Sequence, residues 1–453
     1  MYLDVTRLFE RVRAKSPTGI DRVELEYAKY FYVNGADFVT QVGEQLAIVP
    51  SDVGRELIDF ASQRWNGTGG AAFTAPGRLA AWSRTLETER SVRKALEAVK
   101  TGKLGEAFLT IFVSKISSGD AAPTFAHVRG MADRINLLRR LLFPSSTVEW
   151  LGHARLKGRP WYINVGHSGL NKPHMLDRLH SMGGMQIAVY IHDLLPLSHP
   201  DLFRDGEAGK HLRRIANVER NAKVVLTNSH FTASELQKRT KIKDAVVLEI
   251  GTLAHNTNAV ANRHRSGFVS VGTIEPRKNY LWLVRCWIEF CKAHPDLVEG
   301  EKLTIFGRVG WLSDDEQSQL RTLAEYTSRI QIISGASDRE VGEKVASARA
   351  YISAAHVEGW GMPLAESLTA GTPVIATDVP AHREVTQNRA CFFQPGSADD
   401  FARLLTKCFD QREYQQMLDA ASRFQPWEWS DHFKKLQAML AQTGKAFPPG
   451  VRQ

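Results

Sequence analysis

"HVEGWGMPLAESLTAGTPVIATD", residues 356–378, sets Glu358 and Glu366 on either side of a Gly-Trp-Gly-Met-Pro turn and runs on into a β-branched segment. Gly359 and Gly361 allow a ligand to approach the backbone closely, and Pro363 suits the first turn of a helix. Glu366 then falls inside that helix, so the two carboxylates flank its N-terminus rather than sharing one face. An ionised carboxylate accepts two hydrogen bonds at once and so suits a vicinal diol. The plainer alternative is a glutamate pair that caps and solubilises a helix.

Working outward, "AYISAA" before this stretch and "TPVIATD" within it read as strands, as do "FVSVG", "LTIFG" and "IQIISG" upstream. Each has a helical segment behind it; "NYLWLVRCWIEFCKAH" repeats its apolar residues at helical spacing. Strands alternating with helices in this way predict a parallel sheet covered on both faces, a Rossmann-like domain over 268–453. The first half alternates less regularly. "MYLDVT", "WYINVG", "MQIAVYIHD", "KVVLTNS" and "AVVLEIG" read as strands, and "GIDRVELEYAKYFYV" as a helix starting just after a glycine. Residues 1–254 are therefore expected to form a second Rossmann-like domain with a mostly helical insertion at about 62–146. The polar stretch 255–267 reads as the linker. "FQPWEWSDHFKKLQAMLAQ" is a final helix that could pack back on the first domain. The fold class predicted is α/β, with two Rossmann-like domains facing a central cleft.

Composition narrows the class. A chain of 453 residues exceeds one ordinary domain, and 43% hydrophobic with 24% charged residues is globular. The N-terminus has no apolar core of a signal peptide, and no apolar run is long enough to span a bilayer. Cys286, Cys291, Cys391 and Cys408 form no C-x-x-C pair, which fits a reduced, cytoplasmic protein without structural zinc. The net charge is +9, and 13 Lys/Arg against 5 Asp/Glu between Arg90 and Arg159 place nearly all of it in one segment. Such a segment is either a solvated face or a surface for an anionic membrane or acidic acceptor. No nucleic-acid-binding pattern accompanies it, so nucleic acid is not an expected partner.

Ligands of open parallel sheets bind beyond the carboxyl ends of the strands. There, "TIEPRKN" follows the first strand of the second domain and places Arg277 and Lys278 at a helix start, where a diphosphate could be held. The ordered series "VGTIEPRKN", "IFGRVGW", "IISGASDREV" and "HVEGWGMPLAESLTAGTPVIATDVPAHREV" strongly resembles the retaining glycosyltransferases of family 4, which have the GT-B fold. The resemblance covers Phe268 to Leu440 well. It extends more thinly to "GIDRVELEYAKYF" and to "YIHDLLPLSHPDLF" with "VVLTNSHFTASEL".

The resemblance implies that Glu358 contacts the donor sugar and Glu366 the ribose of a nucleotide sugar. Backbone groups of Gly359, Gly361, Met362, Pro363 and Leu364 would face sugar and phosphate. Lys278 would stabilise the departing diphosphate, with Arg277 as helper. The family's arginine after the first-strand glycine is Thr273 here, which shifts that charge onto Lys278 and Arg277. Ser334, in "IISGAS", would line the base, and Gly19 would lie near the donor phosphate. His192 would reach the sugar from across the cleft, with Asp193 and Ser229 as lesser candidates that could equally cap helices. The chain has no D-x-D, so no metal or other cofactor is expected, and positive side chains with a helix dipole would replace one.

The mechanism implied is leaving-group departure assisted by Lys278, followed by attack from the same face of an oxocarbenium-like sugar. Patterns such as "GIDRVELEYA" and "GTIEPRKN" look like bacterial O-antigen, capsule or exopolysaccharide mannosyl- and rhamnosyltransferases, which favours GDP-mannose as donor. The acceptor would be a saccharide, expected to be lipid-linked because "RINLLRRLLF" (134–143), with Arg139 and Arg140, mixes cations and leucines as an interfacial helix would. That segment could equally pack on its own domain. The rival functions are a nucleotide-sugar 2-epimerase of the same fold and a non-catalytic nucleotide-sugar-binding subunit.

Overall fold

A computed structural model describes the chain except for residues 15, 44, 68–74, 76, 101–147, 154–158, 183, 254–264, 326–327 and 444–453. Two sheets organise it. The first contains β1 (Tyr2–Asp4), β2 (Asp37–Val42), β3 (Gln45–Val49), β4 (Trp161–Asn164), β5 (Gln186–Ile191), β6 (Val224–Thr227) and β7 (Val246–Val247). The second contains β8 (Phe268–Val271), β9 (Leu303–Phe306), β10 (Ile330–Ile333), β11 (Ala350–Ser353), β12 (Val374–Thr377) and β13 (Cys391–Phe393).

The strand orders are β3-β2-β1-β4-β5-β6-β7 and β10-β9-β8-β11-β12-β13. Every pairing is parallel except the β2–β3 hairpin. Both sheets are thus doubly wound, reversing direction beside the first strand of each, between β1 and β4 and between β8 and β11. These are the points where an open parallel sheet leaves a crevice at its carboxyl end. The two-Rossmann α/β architecture expected from the alternation is the one found.

The short apolar runs became strands because they are buried on both faces: all four residues of β4, β6, β9, β11 and β12 are buried. The helix Gly19–Val33 begins at the glycine, where Thr18 and Asp21 close a reciprocal capping box. The β2–β3 hairpin and β13 escaped the sequence reading. The hairpin alternates poorly because five residues of β2 are buried, and β13 has only three residues.

The helix Ser51–Trp65 starts ahead of the expected insertion and Gly77–Lys100 lies within it. The rest of that insertion, "RINLLRRLLF" included, falls outside the described residues, as does most of the expected linker 255–267. Arg265, near the linker's end, is tied to the second sheet's surroundings, donating to Thr372 Oγ1 and to the Ala346 carbonyl, each at 2.6 Å.

The final helix, Trp429–Thr443, does pack on the first half. Phe433 stacks on Tyr30 at 3.9 Å between ring centroids. The Tyr27 hydroxyl donates to His432 Nε2 at 2.8 Å, while His432 Nδ1 donates to the Glu249 carbonyl at 2.8 Å. With one nitrogen giving and the other receiving, His432 is used as a neutral ring, and burial lowers its pKa to about 4.

Candidate active site

The loop after β8 coils through a short turn, Pro276–Lys278, into the helix Tyr280–Ala293. The loop after β11 leads through Glu358 to the helix Met362–Thr369. Because β8 and β11 are neighbours at the reversal point, residues eighty apart in sequence meet. Lys278 Nζ contacts Glu358 Oε1, and Arg277 Nη1 donates to Glu358 Oε2 at 2.5 Å. Arg277 also grips Glu275 Oε1 through Nη2 at 2.7 Å. Burial alone would raise the Glu358 carboxyl, but Arg277 and Lys278 more than offset it and hold the group at about 2. Glu358 is therefore a fixed anion in a nearly closed site. Glu275, buried and paired chiefly with Arg277, is shifted upward by burial despite that partner.

The Gly-Trp-Gly turn is shaped by what it touches. A side chain at Gly359 would come within 2.5 Å of the His192 carbonyl oxygen and 2.9 Å of Asp193 Cβ. The first half therefore presses directly on the glutamate loop, and only glycine permits that approach. Gly361 adopts φ +100 at the N-cap, with proline in the first turn of the helix that follows. Ser229 fastens the same contact: its hydroxyl donates to the Gly359 carbonyl at 2.8 Å and accepts from Thr232 N at 3.0 Å as a helix cap. It is at once the cap and the tie between the halves.

His192 ends β5 and is 5% exposed. Its Nε2 donates to the Val165 carbonyl at 2.8 Å, which fixes the tautomer with Nδ1 unprotonated. Burial, against the opposing pull of that carbonyl and of Asp193, lowers its pKa to about 4, so the ring is neutral at physiological pH. The sequence pointed to His192 as reaching the cleft; its backbone does so at Gly359.

Glu366, 6% exposed, sits in the helix Met362–Thr369 and meets Arg22 Nη1 at 3.1 Å. Arg22 comes from the helix Gly19–Val33 of the first half and also binds Asp338 Oδ1 through Nη2 at 2.6 Å. Beside this junction lies a cleft lined from the first half by Thr18 and Arg22 and from the second by Gly272, Thr273, Arg308 and Asp338. Gly19 sits one residue from Thr18, where a side chain would meet Met362 Sδ at 3.4 Å. Ser334 is exposed between the cleft-lining Ile333 and Gly335.

The structure thus gathers the expected residues into two adjoining groups: Lys278, Arg277 and Glu358 with the His192 loop, and Gly19, Thr273, Met362 and Glu366 around the cleft. Pro363 and Leu364 belong to the helix turn that joins them. Four residues went unassigned in the sequence: Arg22, Glu275, Arg308 and Asp338. Each stands inside a quoted motif ("GIDRV", "TIEPRKN", "IFGRVGW", "IISGASDREV"), so the signal was present, but pairing across hundreds of residues is not visible in a linear pattern.

Comparison with known proteins shows what these loops are similar to. Residues 258–424 match the model of glycosyl transferases group 1. The serotype-specific mannosyltransferase WbdA of Escherichia coli is 27% identical over 257 residues, covering 51% of this chain and 31% of WbdA. This chain therefore spans about a third of that relative's length. The O-antigen chain mannosyltransferase RfbU of Salmonella typhimurium is 22% identical over 253 residues, 56% of this chain and 67% of RfbU. Among solved structures, TarM aligns over 62% of this chain and 54% of its own with 13% identity and a TM-score of 0.47. Anabaena HepE in complex with UDP and glucose aligns over 62% and 78%, with 14% identity and a TM-score of 0.48. The matched segment, residues 258–424, is the one that carries Lys278, Glu358 and Glu366, and it is there that this chain is similar to the group 1 glycosyl transferases.

Proposed function

We propose that this protein is a retaining, metal-independent mannosyltransferase that moves the sugar of GDP-mannose to a lipid-linked saccharide in the assembly of a bacterial surface polysaccharide. The observation that carries the reading is the convergence of Lys278 and Glu358 at the β8/β11 crevice, against the His192 loop of the opposite sheet. The mannosyltransferase relatives support the choice of sugar and of acceptor class.

In this reading the nucleotide lies along the cleft beside Thr273, with its ribose diol on Glu366. Lys278 has three N–H donors; besides Glu358 it holds an oxygen of the diphosphate and stabilises the negative charge that grows there as the glycosidic bond breaks. The N-terminus of the helix Met362–Thr369 adds its partial positive charge. Glu358, kept ionised by two cations, accepts hydrogen bonds from sugar hydroxyls and orients the ring. The His192 loop closes the opposite side, and its neutral imidazole offers Nδ1 as an acceptor. The acceptor hydroxyl attacks from the face the diphosphate leaves, and its proton passes to a departing phosphate oxygen, so configuration is retained. Work takes place at the inner face of the cytoplasmic membrane, with residues 90–159 meeting the anionic surface. Among the described residues no helix is long and apolar enough to cross a membrane.

A thermal-shift screen against GDP-, UDP-, dTDP- and ADP-sugars without added metal tests the donor assignment. Stabilisation by GDP-mannose that disappears in Glu366→Ala is the expected result. Stabilisation by another base family alone would overturn the donor, and no shift with any of them would overturn the transferase reading. Liposome flotation with charge reversal at Arg139 and Arg140 tests docking, which fails as a proposal if binding survives.

A further inference from the structure

Glu366 belongs to the second sheet's surroundings, yet the cation on it comes from the first half of the chain. Arg22 and Glu366 stand 344 positions apart and meet at 3.1 Å. The same guanidinium reaches Asp338 Oδ1 at 2.6 Å, at the start of the helix Asp338–Ser347. Arg22 is thereby a fork with one prong on each of two second-half helices. Its side chain is 14% exposed, and those of Asp338 and Glu366 are 13% and 7%. The Nε of Arg22 is buried with no hydrogen-bond partner among the described residues, although Arg22 lines the cleft. A desolvated N–H donor at a cleft wall is an open position for a ligand oxygen. Thr18, which also lines the cleft, caps the helix that carries Arg22 and fixes its start.

We propose that Arg22 is a positioning residue for the nucleotide: it holds the Glu366 carboxylate in the orientation that receives a ribose diol, and so makes the donor site complete only when both halves of the chain are in contact. This rests on the assignment of Glu366 to the ribose. A carboxylate aimed by a buried fork spends less conformational freedom on capturing two hydroxyls than one free to rotate. The Arg22–Asp338 prong keeps the guanidinium in place while Glu366 engages the sugar. The coupling also runs the other way: a nucleotide bound to Glu366 favours the arrangement in which Arg22 is docked, drawing the two halves together.

The consequence is specific to the diol. Full-length wild type, Arg22→Gln, Asp338→Asn and Glu366→Gln are titrated calorimetrically with GDP and 2′-deoxy-GDP, and with UDP and 2′-deoxy-UDP as a second pair. Wild type should prefer the ribonucleotide of the favoured base by about tenfold, the worth of one charge-assisted hydrogen bond. Arg22→Gln should lose most of that preference while binding the 2′-deoxy form nearly as wild type does. The double variant Arg22→Gln with Glu366→Gln should be no worse than Glu366→Gln alone, as expected for residues acting through one another. Equal losses for both forms of the nucleotide, or additive losses in the double variant, would overturn the role of Arg22 while leaving Glu366 in place. No binding of any nucleoside diphosphate by wild type would overturn the function as well. If Arg22→Gln does not fold, Asp338→Asn carries the test: it loosens the fork from the far end and should cut the diol preference by several fold.

Discussion

The two sheets share one winding but differ in how they handle the buried carboxylates near their first strands. In the second half, carboxylates at the strand ends are met by cations: Glu358 by Lys278 and Arg277, Glu275 by Arg277, and Glu301 by Arg349 at 2.6 Å. In the first half, Glu24 is fully buried beside Asp4 and Asp21, and burial, then Asp4, pushes its carboxyl well above the usual range against the pull of Arg7. Asp4 is likewise raised by burial, though Thr6, Tyr162 and Gln41 hydrogen-bond it. His167 is driven well below the usual imidazole range by burial and by Arg214. The second half thus pairs its strand-end carboxylates with cations, whereas the first sets Asp4 and Glu24, both raised by burial, beside an Asp21 that Arg7 and Arg11 pair. On the proposed function, stabilising a departing diphosphate calls for the cations beside Glu358.

The sharpest way to break the contrast is to remove the cation. On the proposed function, Lys278→Met should lower the rate of sugar transfer from GDP-mannose by about a hundredfold or more, followed as release of GDP. Donor binding should weaken much less, because the lost interaction strengthens only as charge develops on the leaving group. A variant that loses affinity and keeps its turnover rate would move Lys278 from the chemistry to simple binding.

Arg277→Met comes next, and its effect is on stability. It leaves Glu275 buried without its principal partner, which costs about 3 kcal/mol for a buried pair broken on one side. The melting temperature should fall, and adding Glu275→Gln should recover much of the loss. If the double variant is as unstable as the single one, the cost arises from Arg277's other contacts, with Glu358 and the Val357 carbonyl at 3.3 Å.

Acid titration separates the groups by sign. His192, His382 and His432 have folded pKa values of about 4, depressed chiefly by burial from the ordinary 6.5. Their neutral forms favour the fold fully above pH 6.5, and that contribution drains away as pH falls toward 4, by up to roughly 3 kcal/mol each. Glu358, at about 2 against an ordinary 4.5, contributes fully above 4.5 and loses its share only between 4.5 and 2. Melting curves from pH 8 to pH 3 should therefore begin to fall before Glu358 titrates. Glu24 runs the other way: its raised pKa makes it a burden as pH climbs above its ordinary 4.5. Glu24→Gln should melt higher than wild type at pH 8, with the gap closing by pH 4. A flat difference across that range would mean Glu24 stays charged or stays neutral in both states.

The same contrast explains what could be read from the residues alone. The second half was legible because its strands are continuous apolar runs followed at once by loops carrying charge, glycine and proline. "FVSVGTIEPRKN" and "HVEGWGMPLAES" each hold a strand end or helix start and its chemistry within a dozen residues. The helix from Gly19 was legible for a similar local reason, a glycine directly ahead of a helical run, while the capping box of Thr18 and Asp21 that fixes its start emerges only in the structure. The β2–β3 hairpin was not, since a strand buried along five of six residues next to a glycine resembles any apolar stretch. Nor were the partners of Arg22, because an ion pair across 344 positions depends on how two sheets face each other. Ser229 lies between these cases: its capping role could be guessed from "NSHFTAS", but its bond to Gly359 could not.

Ser229 also gives the smallest and most local test of how the first half is joined to the glutamate loop. Ser229→Ala removes both the cap on Thr232 N and the hydroxyl that reaches Gly359, so stability should drop by about 1–2 kcal/mol. Ser229→Asp, which keeps a capping oxygen but donates no hydrogen bond when ionised, separates the two roles. If capping is what matters, the aspartate variant should melt near wild type and transfer sugar normally. If the tie to Gly359 matters, it should melt near wild type yet bind donor more weakly, because a carboxylate facing the Gly359 carbonyl would push the glutamate loop away from the His192 wall.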